Sequence, residues 1–290
     1  MKEEQLIFIV SQPRSGSTYL QNLLSNNEQT NTCSEPWLLL NFLNFIKPSL
    51  VYSKTDNELT IRALNNYLNK FPDLKYKELY KEFILKLYEP MFKDYEFAID
   101  KTPRYWEILD ELVELFPKSK IIVLHRNPIN VAKSLIKTWN FSSMEDIKLF
   151  RRDLLFAPEK LHTFCQQQQN NSNVYSMYYE HLIDNTAFEV EKVYKWIGMD
   201  YKETVLDVSK NNKFKGEYGD PFQNSEHGYL KSRIQSQNRP LKKIFKNLLS
   251  GYTQYLGKEF LEQYEGYDIT EFGCKRTREF KKFLNSREED

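Results

Sequence analysis

Hydrophobic residues in this chain fall into short unbroken runs separated by longer stretches of helical period. Leu6 to Val10 is a continuous apolar run rich in β-branched residues and followed at once by a turn sequence. That is the pattern of a strand buried on both faces, which belongs in a parallel sheet. The run returns at Phe97 to Ile99, at Ile121 to Leu124 and, less purely, at Val174 to Tyr179, with helical patterns between. Strands alternating with helices predict an α/β fold with a central, mostly parallel sheet and helices on both faces.

From about 38 to 95 the period is helical, with Leu59, Ala63, Leu64, Tyr67 and Leu68 on one stripe and Leu79, Phe83 and Leu87 on another. This stretch is long for a sheet crossover and reads as a helical insertion of the kind that often covers an active site. Helical patterns resume from Asp146 to Asn170, where the Gln166 to Gln169 run is a helix end without a role, and from Lys242 to Tyr255. No repeat or linker divides the chain, so the expectation is one domain over 1–274 and a charged tail over 275–290.

Composition narrows the partners. The 290 residues are 40% hydrophobic, 15% aromatic and 28% charged, a globular balance. A net charge of +1 supplies no global field for nucleic acid or an anionic membrane, so neither is expected as a partner and any anion site must be a local cluster. Cys33, Cys165 and Cys274 show no metal-ligand spacing and suit a reducing compartment. The first apolar run is too short for a leader or a membrane span, so the expectation is a cytoplasmic protein with no metal.

Two segments carry the chemistry. Ser11 to Leu20 (SQPRSGSTYL) joins the first strand to a helix bearing Leu20, Leu23 and Leu24. Small residues in such a turn aim several backbone N–H groups and the positive end of a helix at one point where an anion can sit, and Arg14 adds a full charge. The plain alternative is an ordinary βα turn with a serine cap. The loop is not a Walker A sequence, since GxxxxGK[ST] is absent and the cation precedes the small residues.

The second segment, His125-Arg126-Asn127-Pro128, ends a later strand, and Asn127 as cap with Pro128 at the first position starts a helix through Trp139. Arg126 therefore sits at a strand's carboxyl end, where open parallel sheets bind ligands. Its fork suits the terminal oxygens of a phosphate monoester, and Ser134 lies about two turns along the new helix. Taken alone, Arg126 reads more readily as a strand-end arginine in a surface ion pair. Lys101 follows a strand ending at Asp100 and reaches the same sheet edge, whereas His125 points to the opposite face and is a packing residue.

Together, PRSGSTYL and VLHRNPINVAKSL resemble the 5'-phosphosulfate loop and the 3'-phosphate motif of sulfotransferases that use 3'-phosphoadenylyl sulfate (PAPS). The resemblance extends to Asp100-Lys101-Thr102-Pro103, to Tyr179-Glu180-His181-Leu182 and to the Leu256-Gly257 and Gly266-Tyr267 ending. It implies a P-loop-like three-layer fold, with Arg14, Ser15, Gly16, Ser17 and Thr18 on the 5'-phosphosulfate and Arg126 and Ser134 on the 3'-phosphate. Tyr179 matches a tyrosine that contacts the nucleotide in protein-tyrosine sulfotransferases; a buried strand tyrosine is the competing reading.

The cytosolic sulfotransferases for phenols and steroids place a catalytic His where this chain has Pro103. Protein-tyrosine and several bacterial sulfotransferases use a Glu after the second strand instead, and Cys33-Ser34-Glu35-Pro36 is similar to that segment. The resemblance thus makes Glu35 the expected base, against a turn carboxylate in a local ion pair, with Lys101 and Arg14 stabilising the leaving phosphate. Lys215-Gly216 and Gly219-Asp220 echo a family loop too faintly to enter the site, and Ser232, Arg233 and Arg239 lie where the family closes over the nucleotide. The expected activity is sulfuryl transfer from PAPS to a hydroxyl or amine of a small-molecule, carbohydrate or peptide acceptor. The alternatives are a P-loop-like kinase or hydrolase, or a non-catalytic nucleotide-binding module. Among the aromatics near the insertion, Trp37, Phe42, Phe45, Tyr105 and Trp106 read as core more readily than as pocket lining.

Overall fold

The computed structural model describes residues 2–51, 57–211, 234–264 and 271–286. Its centre is a five-stranded sheet of β1 (Leu6–Ser11), β2 (Thr30–Thr32), β3 (Phe97–Lys101), β4 (Lys120–His125) and β5 (Val174–Tyr178), in the order β2-β3-β1-β4-β5. All four pairings are parallel, so the sheet is wholly rather than mostly parallel. All six residues of β1 are buried, because both faces are covered. Leu6, Phe8 and Val10 join Ala98, Val123, Tyr105, Trp106 and Phe116 on one face. Ile7 and Ile9 join Ile99, Ile122 and Leu124 on the other, under the helices Ser17–Ser25 and Thr186–Ile197. Each such side chain contributes about 1.5–3 kcal/mol by leaving water.

Two features depart from the sequence reading. β2 is not an apolar run: it is an edge strand held by one neighbour, and its threonines are buried through polar bonds, with the Thr32 hydroxyl donating to the Ile99 carbonyl at 2.8 Å. Tyr179, expected in the last strand, instead opens the helix Tyr179–Asp184.

The insertion forms the helices Asn57–Lys70 and Tyr76–Tyr88. The apolar stripes of this stretch face outward: Leu59, Leu64 and Tyr67 on the first helix are exposed, as are Leu79, Phe83 and Leu87 on the second. The second helix is anchored through Ile84 and Tyr88, at i and i+4 on its other side. A third core cluster joins the helix Pro128–Thr138 to Lys243–Leu256 and Arg278–Asn285. Among the described residues no helix is long and apolar enough to cross a membrane, and no cluster of His, Cys, Asp or Glu forms a metal site.

Candidate active site

The parallel register sets the carboxyl ends of three strands side by side, with Ile9 opposite Lys101 and Ser11 opposite Leu124. The loop leaving β1 is tightened by the Ser15 amide donating to the Gln12 carbonyl at 3.2 Å. Arg14 and Gly16 adopt left-handed backbone angles, φ 70° and 90°. These angles turn the chain into the helix Ser17–Ser25, whose start has no side-chain cap. Its first N–H groups therefore lack intrahelical acceptors. Ser15 is fully buried, and its Oγ has no hydrogen-bond partner among the described residues.

Arg126 comes from the end of β4 and meets this loop directly. Its Nη1 donates to the Arg14 carbonyl at 2.7 Å, and its guanidinium carbon lies 4.3 Å from the centre of the Tyr179 ring. The same ring fills the space beside Gly16, where a Cβ would fall 2.3 Å from Tyr179 Cδ2. Arg14 extends the other way, with its guanidinium 5.4 Å from the Trp139 ring and Nη2 3.4 Å from Thr138 Oγ1. The Arg126 guanidinium is thus joined to the backbone of the loop that carries Arg14, at the carboxyl edge of the sheet.

Lys101 closes the third side. As the last residue of β3 it is 1% exposed, and its Nζ donates to Glu35 Oε1 at 2.6 Å. Trp37, at φ 51°, turns its indole N–H onto Glu35 Oε2 at 3.2 Å, so both carboxylate oxygens are oriented. On the opposite sheet face Asp100 is wholly buried, which pushes its carboxyl above the ordinary range, while the hydroxyls of Tyr88, Thr102 and Tyr105 donate to it and hold it down. Burial, with Asp100 nearby, pushes the Cys33 thiol up to about 11, leaving it a poor nucleophile beside this site.

A set of cations and amides at the carboxyl edge of a parallel sheet, with one oriented carboxylate, suits transfer of an anionic group to an acceptor that must lose a proton. Comparison with known families matches residues 6–203 to the description "Sulfotransferase family". The chain belongs to the sulfotransferase family. A 134-residue stretch is 31% identical to nodulation protein NoeE of Sinorhizobium fredii (strain NBRC 101917 / NGR234), covering 46% of this chain and 32% of that protein's own length. Among solved structures, the sulfotransferase domain from the curacin biosynthetic pathway aligns over 96% of this chain and 95% of that one, at 16% identity and a TM-score of 0.51. Mouse sulfotransferase SULT7A1, solved in complex with PAP, aligns over 90% and 89%, at 14% identity and a TM-score of 0.51. At such identities the likeness is one of fold.

In this member of the family the residues singled out from the sequence fall into two groups at the carboxyl edge of the sheet: Arg126 and Tyr179 against the Arg14–Gly16 turn, and Lys101 with Glu35 at the end of the neighbouring strand. Ser134 is half-buried on the helix Pro128–Thr138, one turn before Thr138. Asn127 caps that helix, accepting from the Ile129 amide at 3.0 Å. Ser232, Arg233 and the segment 215–220 lie outside the described residues. Arg239 is described, and it donates to the Lys137 carbonyl at 2.9 Å at the end of the same helix.

Sequence reasoning missed several supports. Glu180 accepts from the Asn127 amide at 3.0 Å, and burial raises its carboxyl while that amide and Arg126 lower it. Gln12, almost wholly buried, donates to the Asp153 carbonyl at 2.8 Å. Thr138 and Trp139 flank Arg14 from 124 and 125 positions away, a proximity that no local pattern encodes. The aromatics expected in the core divide: Tyr105 and Trp106 are buried, Phe45 is exposed, and Trp37 stands at the site.

Proposed function

We propose that this chain transfers the sulfuryl group of PAPS to a hydroxyl or amine of an acceptor. One observation carries the reading: Arg126 and the Arg14 loop, from distant parts of the chain, are joined by a 2.7 Å hydrogen bond at one sheet edge. Two cationic groups so placed suit a nucleotide that bears phosphate at both its 3' and 5' positions. The fit of the loop is supported by the buried, unpartnered Ser15 Oγ and by the uncapped start of the helix Ser17–Ser25. Both offer donors to an anion.

In the proposed reaction the acceptor oxygen or nitrogen bonds to sulfur as the bond from sulfur to the 5'-phosphate oxygen breaks, in line, through a loose transition state. The acceptor proton passes to Glu35. Charge growing on the released phosphate is met by Lys101, Arg14 and the amides of Ser15 to Thr18, each worth about 2 to 4 kcal/mol in a water-poor site. Arg126 holds the 3'-phosphate with its fork, Ser134 supports it, and Tyr179 supplies the ring on which Arg126 lies. A carboxylate base, with Pro103 where other branches place histidine, makes the chemistry similar to that of protein-tyrosine and bacterial sulfotransferases.

The test is binding followed by turnover. Adenosine 3',5'-bisphosphate raises the melting temperature with EDTA present, ATP does so weakly, and labelled sulfate moves from PAPS to an acceptor. Absence of bisphosphate binding overturns the reading; binding without transfer to any acceptor reduces the chain to a nucleotide-binding module.

A further inference from the structure

A cavity of about 870 Å³ opens directly off Glu35. Its walls are of two kinds. Pro36, Leu40, Leu43, Leu50 and Val51 are apolar, with Trp37 bonded to the carboxylate and the neutral Asn41 and Ser49 among them. Arg104, Glu107 and Arg152 are the charged residues that line it besides Glu35.

Each of these charges is already matched. Arg104 donates through Nε and Nη2 to the buried Asp153, at 3.0 and 2.9 Å, and Arg152 makes a two-point pair with Glu107 at 2.8 Å for each bond. Glu35 is matched by Lys101. Among the described lining residues two arginines and two glutamates cancel, so a charged acceptor gains no net field and loses its hydration. An uncharged polyol loses less, and it meets donors on guanidinium edges and spare lone pairs on carboxylates.

Arg104 is the fixed point of this wall. Its guanidinium is flanked by the Trp37 and Phe150 rings at 5.2 and 5.6 Å, and Nη1 is the one nitrogen of its fork without a hydrogen-bond partner among the described residues. Asp153, which holds it, is tied through its own carbonyl to Gln12 of the β1 loop. The acceptor wall and the donor loop are therefore one connected unit.

We propose that this cavity takes the acceptor, that the acceptor is an uncharged, multiply hydroxylated molecule with an apolar portion, and that Arg104 is its specificity-determining residue. The proposal rests on the sulfuryl-transfer reading above. The acceptor hydroxyl lies at Glu35, further hydroxyls meet Nη1 of Arg104, and the apolar portion packs on Leu40, Leu43 and Leu50.

The experiment uses the full chain, labelled PAPS and paired p-nitrophenyl glycosides. The β-glucoside, β-galactoside, α-mannoside and N-acetyl-β-glucosaminide are compared with the β-glucuronide, which differs from the glucoside by one carboxylate, and with methyl β-glucoside, which lacks the apolar part. At least one neutral p-nitrophenyl glycoside is sulfated about tenfold or more faster, as kcat/KM, than the glucuronide and the methyl glycoside. Arg104→Lys, which keeps a cation for Asp153 but loses the fork, raises KM for that glycoside about tenfold while the Kd for adenosine 3',5'-bisphosphate stays within about twofold. Equal or better transfer to the glucuronide, no transfer to any neutral glycoside, or an unchanged KM in Arg104→Lys each overturns the proposal. Failure of the wild-type protein to bind the bisphosphate sinks the underlying reading instead, so the two failures are distinct.

Discussion

Lys101 and Glu35 face each other at 2.6 Å, the ammonium 1% exposed at the end of β3 and the carboxylate 16% exposed after β2. The burial is lopsided: the cation is shut in by the sheet, while the carboxylate keeps one edge toward the cavity at Glu35. A buried ion pair contributes little net stability, because desolvation offsets attraction. Here it fixes the position of a carboxylate that a solvated turn would leave mobile, and Trp37 fixes the second oxygen.

On the proposed mechanism, Glu35→Gln keeps the shape of the site and removes the proton acceptor. Turnover with labelled PAPS falls by about two orders of magnitude or more, while the Kd for adenosine 3',5'-bisphosphate is nearly unchanged. Normal turnover in this variant removes Glu35 from the chemistry.

β1 and β4 are the most legible strands because a strand covered on both faces must be apolar at nearly every position, while the short run at β3 and the aromatic, half-buried edge strand β5 are legible from their β-forming residues. β2 is illegible for the converse reason: Thr-Asn-Thr satisfies its buried groups through partners such as Gln21 and the Ile99 carbonyl, which lie elsewhere in the chain. The cations of the site are legible because Arg14, Lys101 and Arg126 each lie two to four residues past the end of an apolar run, and strand ends in a parallel sheet share an edge. The residues that aim them are not. Thr138, Trp139 and Asp153 reach the site through tertiary packing of helices, and helical period says which residues share a face without saying which face is inward. The outward stripes at Leu59 and Leu79 show the same gap.

Gly16 is confined by both backbone and space. At φ 90°, with a Cβ that would fall 2.3 Å from Tyr179 Cδ2, Gly16→Ala loses about 1–2 kcal/mol for the left-handed backbone and roughly 1–3 kcal/mol for overpacking. In a Tyr179→Ala background the same change costs the backbone part alone. Urea unfolding of the four proteins reads the difference. Equal cost in both backgrounds clears the Tyr179 ring of confining residue 16.

His125 makes stability depend on pH. Burial, with His162 adding like charge, lowers its pKa from 6.5 to about 4, and its ring stacks on Tyr178 with Nε2 3.4 Å from Cys165 Sγ. The folded state holds this imidazole neutral while the unfolded chain protonates it near 6.5, so the unfolded state binds the extra proton between those values. The contribution is therefore present above about 6.5 and lost as pH falls toward about 4, to a limit on the order of 3 kcal/mol. Asp100 and Asp153, raised by burial, act in the opposite direction, so the measurement is a difference: wild type should lose this stability relative to His125→Asn between pH 7 and 4. Parallel pH profiles contradict it.

Arg126 performs three tasks that a lysine cannot combine. Its Nη1 binds the Arg14 carbonyl, its plane lies 4.3 Å from the Tyr179 ring centre, and its remaining edge is, on the proposed reading, the fork for a 3'-phosphate. Lysine keeps the charge but offers a point contact without a plane. Loss of the paired, charge-assisted bonds corresponds to about 1.5–3 kcal/mol, or roughly 10- to 100-fold in affinity. Arg126→Lys should therefore weaken adenosine 3',5'-bisphosphate by that factor and leave adenosine 5'-phosphosulfate, which has no 3'-phosphate, within about threefold. Calorimetric titration of both nucleotides separates the two ends of the site. If both weaken equally, Arg126 acts by holding the Arg14 loop in place and does not read the 3'-phosphate.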